Sequence, residues 1–251
     1  MMKTAMNLYL RDVINIKEFI KAFKNTIYYK ELFNVSTEIL GIFLLGSRAT
    51  GIIDEYSDYD IVILTLDGDY IDASKYEYLR YHGHKVHWYY QPIAGLFQKK
   101  FEDNQLMILC PVQLKHLSPD LTLYENPKYF ELLSSLYKIK DKVSTIGVYQ
   151  LFNKKQNYIE SILCKEEILE TSYSKFLYHL CLASYQLLGD SPDKAFLKTL
   201  KRIKWTPIPE DDKILAIQRL KLSKNYIEKH PLDIDTELTK LKALLNIPKT
   251  S

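Results

Sequence analysis

The strongest constraint on the fold is a pair of apolar segments joined by a polar loop. EILGIFLL (38–45) and DIVILTL (60–66) are nearly continuous apolar runs of strand length. Runs of this length bounded by turn residues are typical of buried strands. The loop between them is rich in Gly, Ser and Asp, with a Gly-Ser pair at its start and two aspartates at its end. We therefore expect two core strands with polar groups at the mouth of the core.

The remaining sequence divides into a mixed half and a helical half. HKVHWYY (84–90) predicts a third strand, and 106–114 and 121–125 are weaker strand candidates. From about residue 128 the apolar spacing is helical, in segments near 128–140, 147–164, 172–188, 193–203, 211–228 and 234–245. The prediction is an α+β protein, with a mixed-sheet domain at 1–130 and an all-helical domain at 131–251.

Charge and composition exclude several classes of protein. The chain has 34 basic and 31 acidic residues, a net charge of +3, which is far from the footprint of a dedicated duplex-DNA binder. This balance tolerates a polyphosphate ligand, and contact with nucleic acid is not favoured. The sequence has no signal-peptide pattern and no apolar run long enough for a membrane span, and its three cysteines are widely separated. We expect a cytoplasmic protein that does not associate with membranes.

Asp58 and Asp60 are the first candidate functional residues. Side chains two apart in a strand point to the same face, so these carboxylates project together and repel one another. A cation would relieve the repulsion, and Mg²⁺ suits it because Mg²⁺ takes one or two carboxylates and completes its shell with waters and phosphate oxygens. Gly46 permits close approach of a ligand, Ser47 adds a hydroxyl, and Arg48 offers a positive charge. These three residues are the candidate phosphate-binding group.

Gly46-Ser47, ten intervening residues, and then Asp58-Tyr59-Asp60 with an apolar strand closely resemble a known signature. It is the GS-x-DhD signature of the DNA polymerase beta-like nucleotidyltransferase superfamily. The order of a nucleotidyl-transfer domain followed by a helical domain is similar to that of the kanamycin-type antibiotic nucleotidyltransferases. The resemblance in motif covers roughly residues 38–90, and the helical half matches only in size and class.

The resemblance implies a specific chemistry. In such enzymes the Gly-Ser turn holds the triphosphate of a nucleotide, and the aspartate pair ligates Mg²⁺, for which Mn²⁺ can substitute. The expected reaction transfers a nucleoside monophosphate, AMP from ATP, to a hydroxyl of a small molecule such as an antibiotic. The kanamycin-type enzymes build their cleft across a homodimer, so the resemblance also allows one here.

One position departs from the family pattern. The family has a third carboxylate on the next strand, where this chain has His87, and no Asp or Glu occurs in 81–90. Three explanations stay open. His87 replaces the carboxylate as a catalytic residue, since imidazole can ligate Mn²⁺ or accept a proton. A glutamate of the helical half acts as the base, the candidates being Glu160, Glu166, Glu167 and Glu170. Alternatively, the site binds nucleotide and metal without efficient turnover.

Other interpretations compete with the small-molecule enzyme. A nucleotidyltransferase acting on tRNA or protein, as toxin-type members of the superfamily do, would need a basic groove along the helical half. A nucleotide-binding regulator without catalysis is the rival from a different class, and the missing carboxylate is its main support. A zinc site formed by His82, His84 and His87 is disfavoured, because His87 points away from the other two in a regular strand.

Overall fold

Both apolar segments form central strands of a mixed sheet in the computed structural model of the chain. It describes residues 16–54, 57–68, 71–72, 80–81, 83–97, 111–165, 174–202 and 207–245. The strands in these residues are β1 (Ile39–Leu45), β2 (Tyr59–Thr65), β3 (Ile71–Asp72), β4 (Arg80–Tyr81), β5 (His84–Pro92) and β6 (Thr122–Glu125). Their order across the sheet is β3-β5-β2-β1-β6, and β4 pairs with β5.

The pairing of the strands explains where polar groups meet. β1 and β2 are antiparallel neighbours, so the end of β1 lies beside the start of β2. β5 runs parallel to β2, so the start of β5 lies at the same edge. The loop from β1 to β2 and the first residues of β2 and β5 therefore converge at one edge of the sheet.

The helices in the described residues begin with three short ones, α1 (Ile16–Lys24), α2 (Ile27–Glu31) and α3 (Gly46–Thr50). The second half contributes α4 (Phe130–Lys154), α5 (Gln156–Lys165), α6 (Ser174–Leu188), α7 (Lys194–Lys201), α8 (Glu210–Lys229) and α9 (Ile234–Leu245). Short 3₁₀ turns occupy 93–97, 114–116, 119–121 and 127–129. The expectation of an α+β chain with a mostly helical second half is confirmed.

The central strands are buried on both faces, which is why their sequences are almost continuously apolar. On one face Phe19 and Phe23 of α1 pack against Tyr59 and Trp88, with the rings of Phe19 and Tyr59 stacked at 3.8 Å. The other face packs against the first half of α4 and against α9. Fully burying a large apolar side chain contributes about 1.5–3 kcal/mol, so these faces fix the register of the strands.

A third cluster forms the interior of the helical half, and the loop after α3 reaches into it. Ile52 is fully buried among side chains of α4, α6, α7 and α8. The segment that joins β1 to β2 is therefore held by the sheet at its ends and by the helical half in its middle. The boundary at residue 130 stays a prediction, although α4 begins there.

Two details of the sequence prediction were wrong. Pro111–Gln113 is helical and is followed by a 3₁₀ turn, where a strand was predicted to continue to residue 114. The predicted break between the segments 128–140 and 147–164 is absent, because α4 is continuous to Lys154. The rest of the second segment forms α5. In the part of the chain that the structure describes, no helix has the length and apolar character needed to cross a membrane.

Candidate functional site

The candidate site occupies the edge of the sheet where β2 begins. Asp60 is paired with Leu45, the last residue of β1, on one side and with His87 of β5 on the other. Farther along the same face of these strands, Val62 and Tyr89 belong to the apolar core beneath α4. Because side chains at i and i+2 of a strand point to the same face, Asp60 and His87 lie on the face whose next positions are apolar.

Gly46 is the residue that makes room for the Asp60 carboxylate. Its backbone is left-handed, with φ of 73°. A Cβ atom built at this position would lie 2.0 Å from Oδ2 of Asp60 and 3.1 Å from its Cβ. The glycine is therefore required twice, by the backbone conformation and by the neighbouring carboxylate. The structure brings these two predicted site residues into direct proximity.

Ser47 lies at the start of the five-residue helix α3 and is half-buried. The carbonyl oxygen of Ser47 accepts hydrogen bonds from the backbone of Gly51 and Ile52, which closes the turn. The N–H of Gly46 donates to Oε1 of Gln113 at 3.1 Å. Gln113 thus holds the first residue of the Gly-Ser turn, a contact that the sequence did not predict.

Arg48 points into the protein and contacts the loop before β2. Its side chain is buried, and its guanidinium donates to the carbonyl oxygens of Ser57 at 2.7 Å and Asp58 at 3.2 Å. The guanidinium also lies 3.6 Å from the centre of the Tyr59 ring. Burial lowers the pKa of Arg48, while Tyr59 and the nearby aspartates oppose that shift. Through these contacts Arg48 holds the backbone of the segment that bears Asp58, so it supports the site through the loop.

Asp58 is a partly buried carboxylate in a basic setting. Burial raises the pKa of the Asp58 carboxyl above its ordinary value, and the charges of Lys85 and Lys201 counteract that shift. The backbone of Lys85, at the start of β5, also counteracts the rise in the pKa of the Asp58 carboxyl. An anion held in this way is desolvated, and it gains more from a bound cation than an exposed carboxylate does.

His87 of β5, where the sequence analysis expected a third carboxylate, lies beside Asp60 in the sheet. Its Nδ1 is 3.9 Å from Oδ1 of Asp60, and its side chain is 22% exposed. His84, by contrast, is buried on the other face of the sheet beside Tyr59. The expectation that His84 and His87 point in opposite directions is confirmed, and His82 lies outside the described residues.

Of the glutamates suggested as alternative bases, Glu160 is the one that lies within the described residues. Glu160 is paired with Gln156 in α5 and with Lys224 in α8. Glu166, Glu167 and Glu170 lie outside the described residues.

Several residues of the site were missed by the sequence analysis. Asp54 and Ser57 form a closed turn in the loop, in which the Ser57 hydroxyl donates to Oδ1 of Asp54 at 2.9 Å. Lys201 of α7 and Arg202, which follows it, lie 3.6 Å from the Asp54 carboxylate. The spacing of Asp54 and Ser57 is a pattern for a side-chain turn that could have been found. Nothing near Lys201 in the sequence indicates its distant partners.

The carboxylates of Asp58 and Asp60 suit a hard divalent ion whose remaining ligands are waters or phosphate oxygens. Among the described residues, no three His, Cys, Asp or Glu side chains converge as a preformed metal site. Mg²⁺ needs no such cage, because one or two carboxylates suffice when waters and phosphate oxygens supply the rest. Asp58 and Asp60 provide that pair, and the missing side chain at Gly46 makes room for the Asp60 carboxylate.

No family model and no curated protein matches the chain. Evidence for the function of the candidate site therefore rests on its residues and their geometry.

Proposed function

We propose that the protein is a Mg²⁺-dependent nucleotidyltransferase of the DNA polymerase beta-like superfamily. It transfers AMP from ATP to a hydroxyl of a small molecule, for which an antibiotic of the aminoglycoside type is the best precedent. The observation that carries the proposal is the close packing of Gly46 on Asp60 at the junction of β1 and β2. A Gly-Ser turn and an aspartate pair at this junction are the arrangement that the GS-x-DhD signature implies.

Each residue of the candidate site has a proposed role in binding or transfer. The turn at Gly46 and Ser47, which packs on Asp60, would bind the triphosphate, with the Ser47 hydroxyl as one donor. Asp58 and Asp60 hold the divalent ion, which when bound stabilises negative charge on the phosphate being transferred. Arg48 holds the backbone before β2, and Gln113 holds the Gly-Ser turn. His87, whose Nδ1 lies 3.9 Å from Oδ1 of Asp60, is the proposed base for the acceptor hydroxyl.

A transfer assay tests the proposal. The protein is incubated with each α-³²P-labelled nucleoside triphosphate, with Mg²⁺ or Mn²⁺, and with aminoglycosides, lincosamides, bulk tRNA or a cell lysate. Label on a small molecule is the expected result. Label on tRNA or on a protein would instead support a toxin-type transferase. The absence of any labelled product with every nucleotide and acceptor would contradict a transferase of either kind.

The regulator hypothesis has one observation in its favour. An imidazole replaces a carboxylate at 3.9 Å from Asp60, which leaves one acidic ligand fewer than the family pattern has. A regulator would bind ATP in a metal-dependent way and transfer no label. The assay above separates the two functions when nucleotide binding is measured in parallel.

A further inference from the structure

Lys201 is the last residue of α7, and its ammonium group reaches the loop that precedes β2. Its side chain is 21% exposed. Nζ lies 2.6 Å from the Ser57 hydroxyl and 3.6 Å from Oδ1 of Asp54. Burial lowers the pKa of Lys201, and the charges of Asp54, Asp60 and Asp58 oppose the shift. A lysine of the helical half thus lies in the electric field of the proposed metal ligands.

The hydrogen bonds of Ser57 have a fixed direction. A hydroxyl has one donor and two acceptor positions, and all three are used here. The Ser57 hydroxyl accepts from Lys201 and from the backbone N–H of Asp54, and it donates to the Asp54 carboxylate. Because an ammonium can only donate and a carboxylate can only accept, the network has one orientation. Removal of Lys201 leaves a fully buried hydroxyl with one contact fewer.

The same short segment is held from its other side by Arg48, which donates to the carbonyl oxygens of Ser57 and Asp58. The backbone directly before β2 is therefore clamped between a lysine of the helical half and an arginine of α3. Asp58 lies at the end of this clamped segment, one residue after Ser57.

We propose that Lys201 is a positioning residue of the candidate site, through which the helical half sets the geometry of the Asp58 and Asp60 pair. Its hydrogen bond to Ser57 holds the loop, and its charge compensates Asp54. The expected effect of Lys201 on metal-dependent nucleotide binding rests on the proposed function. Its expected effect on the stability of the loop rests on the contacts alone.

The test compares Lys201→Met and Lys201→Arg with Lys198→Met, a matched control three residues earlier in the same helix. Binding of mant-ATP is measured by fluorescence with Mn²⁺ and with EDTA. Lys201→Met should reduce the affinity with Mn²⁺ about tenfold, equivalent to about 1.4 kcal/mol, and change the affinity in EDTA by less than about twofold. Lys201→Arg should recover part of the loss, and Lys198→Met should behave as wild type.

Amide hydrogen exchange provides a readout that needs no ligand. Peptides containing the amides of Asp54 and Ser57 should exchange faster in Lys201→Met than in wild type, because both amides donate within the turn. Peptides from the middle of β2 should be unchanged.

Three results would overturn the inference. The first is wild-type amide exchange and wild-type mant-ATP binding in Lys201→Met. The second is a loss of affinity in EDTA equal to the loss with Mn²⁺, which would make Lys201 a nucleotide ligand. The third is that Lys201→Arg recovers none of the affinity lost in Lys201→Met. If the wild-type protein shows no gain of affinity with Mn²⁺, the proposed function fails, and the exchange data still decide whether Lys201 holds the loop.

Discussion

Gly46→Ala is the substitution for which the structure gives the sharpest expectation. The new Cβ would lie 2.0 Å from Oδ2 of Asp60, whereas ordinary contacts begin at 3.4 Å, so the carboxylate oxygen must retreat by about 1.4 Å. Rotation of the carboxylate alone does not suffice, because the Cβ of Asp60 would also be only 3.1 Å away. The perturbation is therefore a displacement of a proposed metal ligand.

Two effects of Gly46→Ala can be separated by size. A residue other than glycine in the left-handed region costs about 1–3 kcal/mol of stability. For a chain of this length that lowers Tm by about 2–12 °C. A displacement of about 1 Å in a reacting geometry costs about 100-fold in rate, or about 2.7 kcal/mol. We expect the loss of function to exceed what the loss of stability explains.

Gly189→Ala is a matched control for the backbone effect. Gly189 has a φ of 75°, close to that of Gly46, and a Cβ there would have no atom within 4 Å. Both variants should lose thermal stability, measured by circular dichroism, and only Gly46→Ala should lose Mn²⁺-dependent binding of mant-ATP. Wild-type binding in Gly46→Ala would refute the argument that Gly46 makes room for a metal-binding carboxylate.

Two further substitutions address the charges of the site. Asp58→Asn should raise Tm of the metal-free protein at pH 7, because burial raises the pKa of Asp58 in the fold and the charged form is therefore less stable there than in the unfolded chain. The gain should vanish as the pH falls below the ordinary pKa of the carboxyl, and an unchanged Tm at pH 7 would contradict this reasoning. His87→Asp should lower Mg²⁺-dependent transfer by about tenfold or more, because it removes the proposed base beside Asp60. It should also lower Tm without metal through repulsion between like charges. A rise in transfer would show instead that the missing carboxylate impairs the site and that the imidazole has no role of its own.

The central strands could be predicted because their signal is local. The apolar run at 38–45 and the one at 60–66 correspond to β1 and β2 within one residue at each end. The same kind of signal misled the prediction at 111–114, because a short apolar run is equally compatible with a buried helix. Nothing local distinguishes the two.

The long helix α4 shows a different cause of error. The apolar spacing predicts two segments, near 128–140 and 147–164, whereas the helix runs without interruption from Phe130 to Lys154. Val143 and Ile146 are buried and continue the apolar spacing across the predicted gap. A Cβ at residue 147 would lie 3.0 Å from Cβ of Pro111, so the glycine serves close packing inside the helix.

The parts of the candidate site were predictable to the extent that they lie near one another in sequence. The spacing from Gly46 to Asp60 indicated that turn and carboxylate belong together, and the structure places them in proximity. The direction of Arg48 depends on where the backbone of Ser57 passes, which no local pattern encodes. Lys201 follows Ser57 by 144 residues, so its contact arises only from the packing of the helical half.

The central claim is that Asp60 binds a divalent ion together with nucleotide. The most direct measurement is the affinity for mant-ATP, with Mn²⁺ and with EDTA, of the wild-type protein and Asp60→Asn. This change preserves the shape of the side chain and removes its charge, and Asp120→Asn at an exposed position is the control. We expect Mn²⁺ to tighten binding to the wild type and to Asp120→Asn and to have no effect on Asp60→Asn. Equal tightening by Mn²⁺ in Asp60→Asn would contradict it.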